Sequence, residues 1–184
     1  MGVARLDKVT IGDEIRWYVQ TSGNAEHIRH PTPGAAGFLI FDATDEAIIA
    51  ADPLGVYPRG FGSGPGEMQL WQLSPTGYFG WFGEGGYTAQ GISTSVPVLM
   101  APKGKKIVPI SGNMPGTTDD EQQFEYSYRV KRTAKTEDFY PIILTQKNIK
   151  TGKQHTFAAH FDRWDWVYRC RDKRCVDVKS SLTD

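Results

Sequence analysis

The chain lacks any long apolar run. Its most hydrophobic stretches, Gly37–Phe41 and Ala47–Ala51, fall far short of the roughly 18 residues that a membrane-crossing helix needs, so no such span is expected. The N-terminal residues Met1–Asp7 contain no apolar segment of signal-peptide length, and Leu6 stands where a myristoylation signal requires Ser or Thr. A chain of cytoplasmic origin, or one supplied without its leader, is therefore expected.

Recognisable catalytic and cofactor motifs are also missing. No Gly-x-Ser-x-Gly elbow occurs, and Gly60-Phe-Gly-Ser-Gly-Pro-Gly66 lacks the Gly-Lys-Ser/Thr ending of a phosphate-cradling loop, so it reads as a flexible loop. His160, Asp162 and Asp165 could be assembled into acid–base machinery, and Glu67 with Glu84 into a carboxylate pair, but neither set is accompanied by a supporting motif. His27 and His30 are followed by Pro31 and Pro33, which makes their segment a rigid loop and gives them no guaranteed common face for a metal. His155 and His160 differ by an odd number of positions and point to opposite faces of a strand. No cofactor and no metal are expected.

Cysteine is scarce as well. Cys170 and Cys175 enclose Arg171–Arg174; if Asp172 and Lys173 are the centre of a tight turn, the two cysteines face each other across a hairpin. A disulfide there closes so short a loop that it contributes only about 1–2 kcal/mol. It points to an oxidising final environment, such as a virion or an extracytoplasmic compartment. A zinc site would want a closer pair and a second one.

What is present is aromatic and alternating. Aromatic residues make up 12% of 184 positions and all hydrophobic residues 39%, enough for a packed core, and a chain this long can bury about 70% of its unfolded surface. Phe124–Lys131 alternates strictly, with Phe124, Tyr126, Tyr128 and Val130 inward; Ile15, Trp17 and Val19 likewise share a face. Further strands are expected at Lys8–Ile11, Gly37–Asp42, Ala47–Ala51, Met68–Leu73, Tyr78–Phe82, Val96–Met100, Lys106–Ile110, Tyr140–Gln146, His155–Phe161, Trp164–Cys170 and Cys175–Val178. Only Thr44–Ala51 offers a place for a short helix to begin. The expected fold is all-β: an antiparallel β-sandwich or barrel-like domain over residues 1–184, with a possible subdivision near 111–123. Eleven of the twenty glycines lie between Gly55 and Gly91 among Trp71, Tyr78, Trp81 and other aromatics, which predicts long, shaped Gly/aromatic loops combined with short strands.

The net charge is zero but its distribution is uneven. Residues 1–92 carry five Lys/Arg against ten Asp/Glu, and residues 93–184 carry sixteen against eleven. Such polarity favours association of copies head to tail. It also argues against a dedicated nucleic-acid binder, which usually has a basic surplus. Along Trp164–Cys170 the side chains of Trp164, Trp166, Tyr168 and Cys170 fall on one face and Arg169 on the other; that face is either core or a platform for a partner. The sequence thus leads to a non-enzymatic structural or interaction subunit of a larger assembly, for example a virus or phage particle or another multisubunit complex. Protein subunits, copies of itself or other components, are the expected partners, with Trp71, Tyr78, Trp81, Trp164, Trp166 and Arg169 as contact residues. A carbohydrate-binding sandwich using those rings is the second reading, and a secreted hydrolase the third.

Overall fold

The computed structural model describes residues 1–26, 32–57, 63–89, 92–119, 124–132, 138–172 and 175. Among them are thirteen strands: β1 (Gly2–Ile11), β2 (Glu14–Gly23), β3 (Gly34–Asp42), β4 (Ile48–Tyr57), β5 (Gln69–Gln72), β6 (Phe79–Ala89), β7 (Ile92–Lys103), β8 (Lys106–Pro109), β9 (Thr117–Asp119), β10 (Phe124–Val130), β11 (Ile142–Asn148), β12 (Gln154–Asp162) and β13 (Val167–Cys170). The protein is all-β. A nine-stranded sheet runs β1-β2-β3-β4-β8-β7-β6-β5, with β9 added to β7, and a four-stranded meander runs β10-β11-β12-β13. Every pairing is antiparallel except a single parallel bridge between Ala51 of β4 and Lys106 of β8.

The larger sheet curls into a nearly closed barrel. Trp81 of β6 lies 5.5 Å from Tyr18 of β2 and 5.0 Å from Phe38 of β3, between ring centroids, although those strands are distant in the sheet order. With Ile40, Ala50, Tyr57, Met68, Val98 and Ile107 these rings form one core inside the curl. A second core joins the two sheets: Leu73, Phe82, Leu99, Ala101, Ile110 and Met114 meet Ile142, Leu144, Phe157, Ala159, Tyr168 and Cys170. Successive residues of a strand point to opposite faces, so Trp81, Val98 and Ile107 face the barrel core while Phe82, Leu99 and Val108 face the other. Strands β6, β7 and β8 are therefore a wall shared by both cores, which accounts for the unbroken apolar run Val96–Met100.

The sheets are also joined by hydrogen bonds. Tyr140 N–H donates to Leu73 O (2.7 Å) and Tyr168 N–H to Ile110 O (2.8 Å), while the Tyr128 hydroxyl donates to Pro115 O; within the smaller sheet's segment the Tyr168 hydroxyl donates to Tyr140 O (3.0 Å). At this seam the backbone of Gly112 has φ +58°, and a Cβ there would stand 2.0 Å from Tyr168 O, so only glycine fits.

Several expectations are corrected. The helix start at Thr44–Ala51 is instead a turn followed by β4: Thr44 N–H donates to Asp42 Oδ1 (2.7 Å) and Ala47 N–H to Asp45 Oδ1 (2.9 Å), local bonds that compete with helix. Within the Gly/aromatic stretch the strands expected at Met68–Leu73 and Tyr78–Phe82 are present as β5 and β6, and β6 runs on to Ala89, further than expected. Its glycines make room for large neighbours: a Cβ on Gly83 would meet Met68 at 2.9 Å and the Tyr57 hydroxyl at 3.1 Å. In β10 the alternation holds, but Phe124 at the strand end is exposed while Tyr126, Tyr128 and Val130 turn inward. In β2 it is Tyr18 and Gln20 that are fully buried, and Ile15, Trp17 and Val19 lie on the outer face, half covered. The stretch around 111–123, expected as a loop, is described only to Asp119 and contains β9 at Thr117–Asp119, and the strand expected at Cys175–Val178 lies outside the described residues apart from Cys175.

Candidate functional site

The contact residues anticipated from the sequence do not share one surface. Trp81 is completely buried in the barrel core, and its indole N–H finds no acceptor. Trp71 is half-buried and stacks on Phe82 with centroids 3.9 Å apart and rings 6° from parallel. Tyr78 donates its hydroxyl proton to Pro102 O, and burial pushes that hydroxyl up to about 12. Around it gathers a rosette of edge-on rings: Trp166 stands 6.2 Å from Tyr78, 5.3 Å from Phe161 and 6.2 Å from Phe139, at angles of 80–82°. Such edge-to-face packing is the favoured geometry for aromatic quadrupoles.

Among the anticipated aromatic contacts only Trp164 is largely exposed. The segment expected to begin a strand at Trp164 is a turn, because the Asp162 carboxylate accepts the N–H groups of Trp164 (3.0 Å) and Asp165 (3.3 Å) and holds the backbone back until Val167. Trp166 consequently takes φ +59°, uncommon for a bulky residue, and turns inward with its N–H unsatisfied while Trp164 is left 95% exposed. Arg169 closes the turn from β13 by pairing with both Asp162 (3.3 Å) and Asp165. The carboxylates that sequence placed beside His160 are thus engaged by Arg169 and by the turn. Glu84 accepts from the Ser95 hydroxyl (3.2 Å). Lys103 hangs over the Trp166 ring, 5.7 Å from its centroid.

The exposed apolar surface lies elsewhere, on the outer face of β1–β4. Direct cross-strand pairing places Leu6, Val19, Leu39 and Ala51 in one row and Lys8, Trp17, Phe41 and Ile48 in the next. Paired residues of antiparallel strands share a face. Ile48 is 65% exposed and Leu6 53% exposed, while Lys8 extends over Trp17 at 5.8 Å. The adjoining hairpin tips carry Asp13, Glu14, Asp42, Asp45 and Glu46. The Thr44 N–H holds the Asp42 carboxyl below its ordinary range. Sequence reasoning passed over this patch because Ile15, Trp17 and Val19 look like core residues; the signal was the equally large Tyr18 on the other face.

Charge follows the architecture. Residues 1–57, which include β1–β4, carry four Lys/Arg against eight Asp/Glu, and residues 124–170, which include the meander, carry nine against five. The His27/His30 pair and Gly60–Gly62 lie outside the described residues. Among the described residues no three His, Cys, Asp or Glu side chains converge as metal ligands, and no helix is long and apolar enough to cross a membrane.

Cys170 and Cys175 are both buried and their sulfurs lie at bonding distance, with Cα atoms 6.1 Å apart. Between them Cys175 N–H donates to Asp172 O (2.9 Å).

No known family, no curated protein and no solved structure matches the chain.

Proposed function

We propose that the protein is a non-enzymatic structural subunit that assembles with further copies of itself. The reading is carried by one juxtaposition: an exposed tryptophan on a basic sheet, and a two-row apolar face rimmed by acidic hairpin tips on the other sheet of the same molecule. Trp164 stands on a turn fixed by Asp162 and Arg169, so little ordering entropy is lost when it docks. Tryptophan in such a place is the residue type most enriched among binding hot spots. The patch on β1–β4 supplies apolar area for the ring, and the opposed charges orient the approach. Because donor and acceptor surfaces differ, the contact is heterologous and builds rings or filaments rather than a two-fold dimer.

Carbohydrate binding through the anticipated rings draws less support, since Trp81 is fully buried, Trp71 is half-buried against Phe82 and Trp166 is packed against Phe161, which leaves Trp164 alone of that set largely exposed. The test is light scattering across a concentration series at low and high salt. Oligomers that dissociate as ionic strength rises support charge-directed assembly. A monomer at every salt concentration, up to millimolar protein, would refute it.

A further inference from the structure

The barrel is not closed everywhere. Beyond the single bridge Ala51–Lys106, β4 and β8 make no further pairing, and among the described residues no strand fills the space between the end of β4 and β7. A cavity of about 390 Å³ opens there. Its floor is apolar core, including Ala36, Phe38 and Val98, and Met100 forms part of the wall. That volume falls within the range of about 300–1,000 Å³ typical of small-molecule sites.

The polar side chains of the lining are few. Asp52 is the sole charged residue of the lining. A Cβ on Gly55 would stand 2.7 Å from Asp52 Oδ2, so the carboxylate folds over the bare glycine backbone at the rim. Among the described residues no cation lies within ion-pair distance of it. Ser111 Oγ accepts from Leu99 N–H (3.0 Å) and so keeps its own proton for donation. Pro97 and Pro109 in the wall have no N–H to offer. The site therefore presents a carboxylate and no cationic group, a combination that selects against anions.

We propose that this cavity binds a small organic amine, its apolar body against Phe38, Val98 and Met100 and its ammonium on Asp52. An unbranched thioether such as Met100 adapts to differently shaped bodies, while the charge-assisted contact at the rim sets the class of ligand. The assembly surfaces lie on the outer side of β1–β4 and at the β12–β13 turn, so this site is a separate property of the fold.

The experiment titrates the full chain with phenethylamine, 2-phenylethanol and 3-phenylpropanoate, read by calorimetry and ligand-observed NMR. The amine is expected to bind about tenfold more tightly than the alcohol, and the carboxylate more weakly than either. Asp52→Asn is expected to bring the amine down to the level of the alcohol. Ala36→Leu, which fills the cavity floor, is expected to abolish binding of all three probes. Absence of binding, equal affinity for amine and alcohol, a preference for amine that survives Asp52→Asn, or binding that survives Ala36→Leu would each overturn the proposal.

Discussion

The side-chain amide of Asn113 pairs with the backbone of Cys170 in both directions: its Nδ2 donates to Cys170 O (3.1 Å) and its Oδ1 accepts from Cys170 N–H (2.9 Å). The residues are 57 positions apart, and the amide imitates a strand neighbour for the edge of β13 away from β12. Removing it leaves a backbone donor and an acceptor without partners at the junction of the sheets. Asn113→Ala is expected to cost about 2 kcal/mol in chemical unfolding, because each stranded polar group forfeits its desolvation cost. Asn113→Asp restores the acceptor alone and should recover only part of that loss. Equal stability of both variants with the parent protein would show that the seam does not depend on this amide.

Gln20 uses the same device in the barrel. It is fully buried, donates from Nε2 to Gly66 O (2.7 Å) and accepts at Oε1 from Met68 N–H (2.8 Å). The segment 64–68 is thereby fastened across β2, helped by Ser22 Oγ donating to Pro65 O (2.5 Å). Gln20→Leu keeps the approximate shape but strands both backbone groups, and a loss of about 2–4 kcal/mol is expected. Hydrogen exchange should place the weakening first at Met68, whose amide would then open without global unfolding. Unchanged protection at Met68 would contradict the clamp.

Reduction provides a third prediction. The Cys170–Cys175 loop is short and its turn is already held by the Asp172–Cys175 hydrogen bond, so opening the disulfide should lower stability by about 2 kcal/mol, or about 4–8 °C in Tm. Thermal melts with and without reductant give the difference. Both sulfurs are buried, so rapid labelling of native, unreduced protein by a thiol reagent would show the pair to be unbonded.

The tyrosines make the fold sensitive to alkali. Burial raises the hydroxyls of Tyr128, Tyr168 and Tyr78, the last to about 12, so the native state keeps protons that an unfolded chain releases near 10. The stability linked to them is complete below pH 10 and is lost as pH climbs through the raised values. Ultraviolet titration is expected to show a group of tyrosines that ionise only as the near-ultraviolet circular dichroism collapses. All eight tyrosines ionising together near pH 10 with the fold intact would be the opposing result.

Local alternation was enough to read the all-β, antiparallel character of the fold and the proximity of the cysteines. It could not say which face of β2 is core, because Ile15, Trp17 and Val19 compete with Tyr18 and Gln20. The choice is made by partners far along the chain: Trp81 against Tyr18, and Met68 against Gln20. The turn at Asp162 was hidden for a different reason. A side-chain acceptor that captures two backbone N–H groups overrides the strand pattern of Trp164–Cys170, and it separates Trp164 from Trp166 by exposure although both are tryptophan two positions apart. The cavity depends on where β8 ends relative to β4, a matter of tertiary pairing that no local pattern encodes.

The final prediction concerns the two surfaces proposed to meet. Trp164 and Ile48 are 95% and 65% exposed, so neither contributes much to the core, and Trp164→Ala or Ile48→Lys should leave monomer stability within about 0.5 kcal/mol of the parent. Trp164→Ala should nonetheless weaken self-association about 30-fold, the loss of a 2 kcal/mol hot spot. Ile48→Lys places a charge in the apolar rows and should act at least as strongly. A mixture of the two variants is the sharper experiment. In a heterologous contact the Trp164→Ala protein still offers an intact β1–β4 face and the Ile48→Lys protein an intact turn, so the mixture should form one productive interface per pair and stop at heterodimers. Sedimentation velocity distinguishes that outcome from two inert monomers, which would mean that the turn and the face do not bind each other.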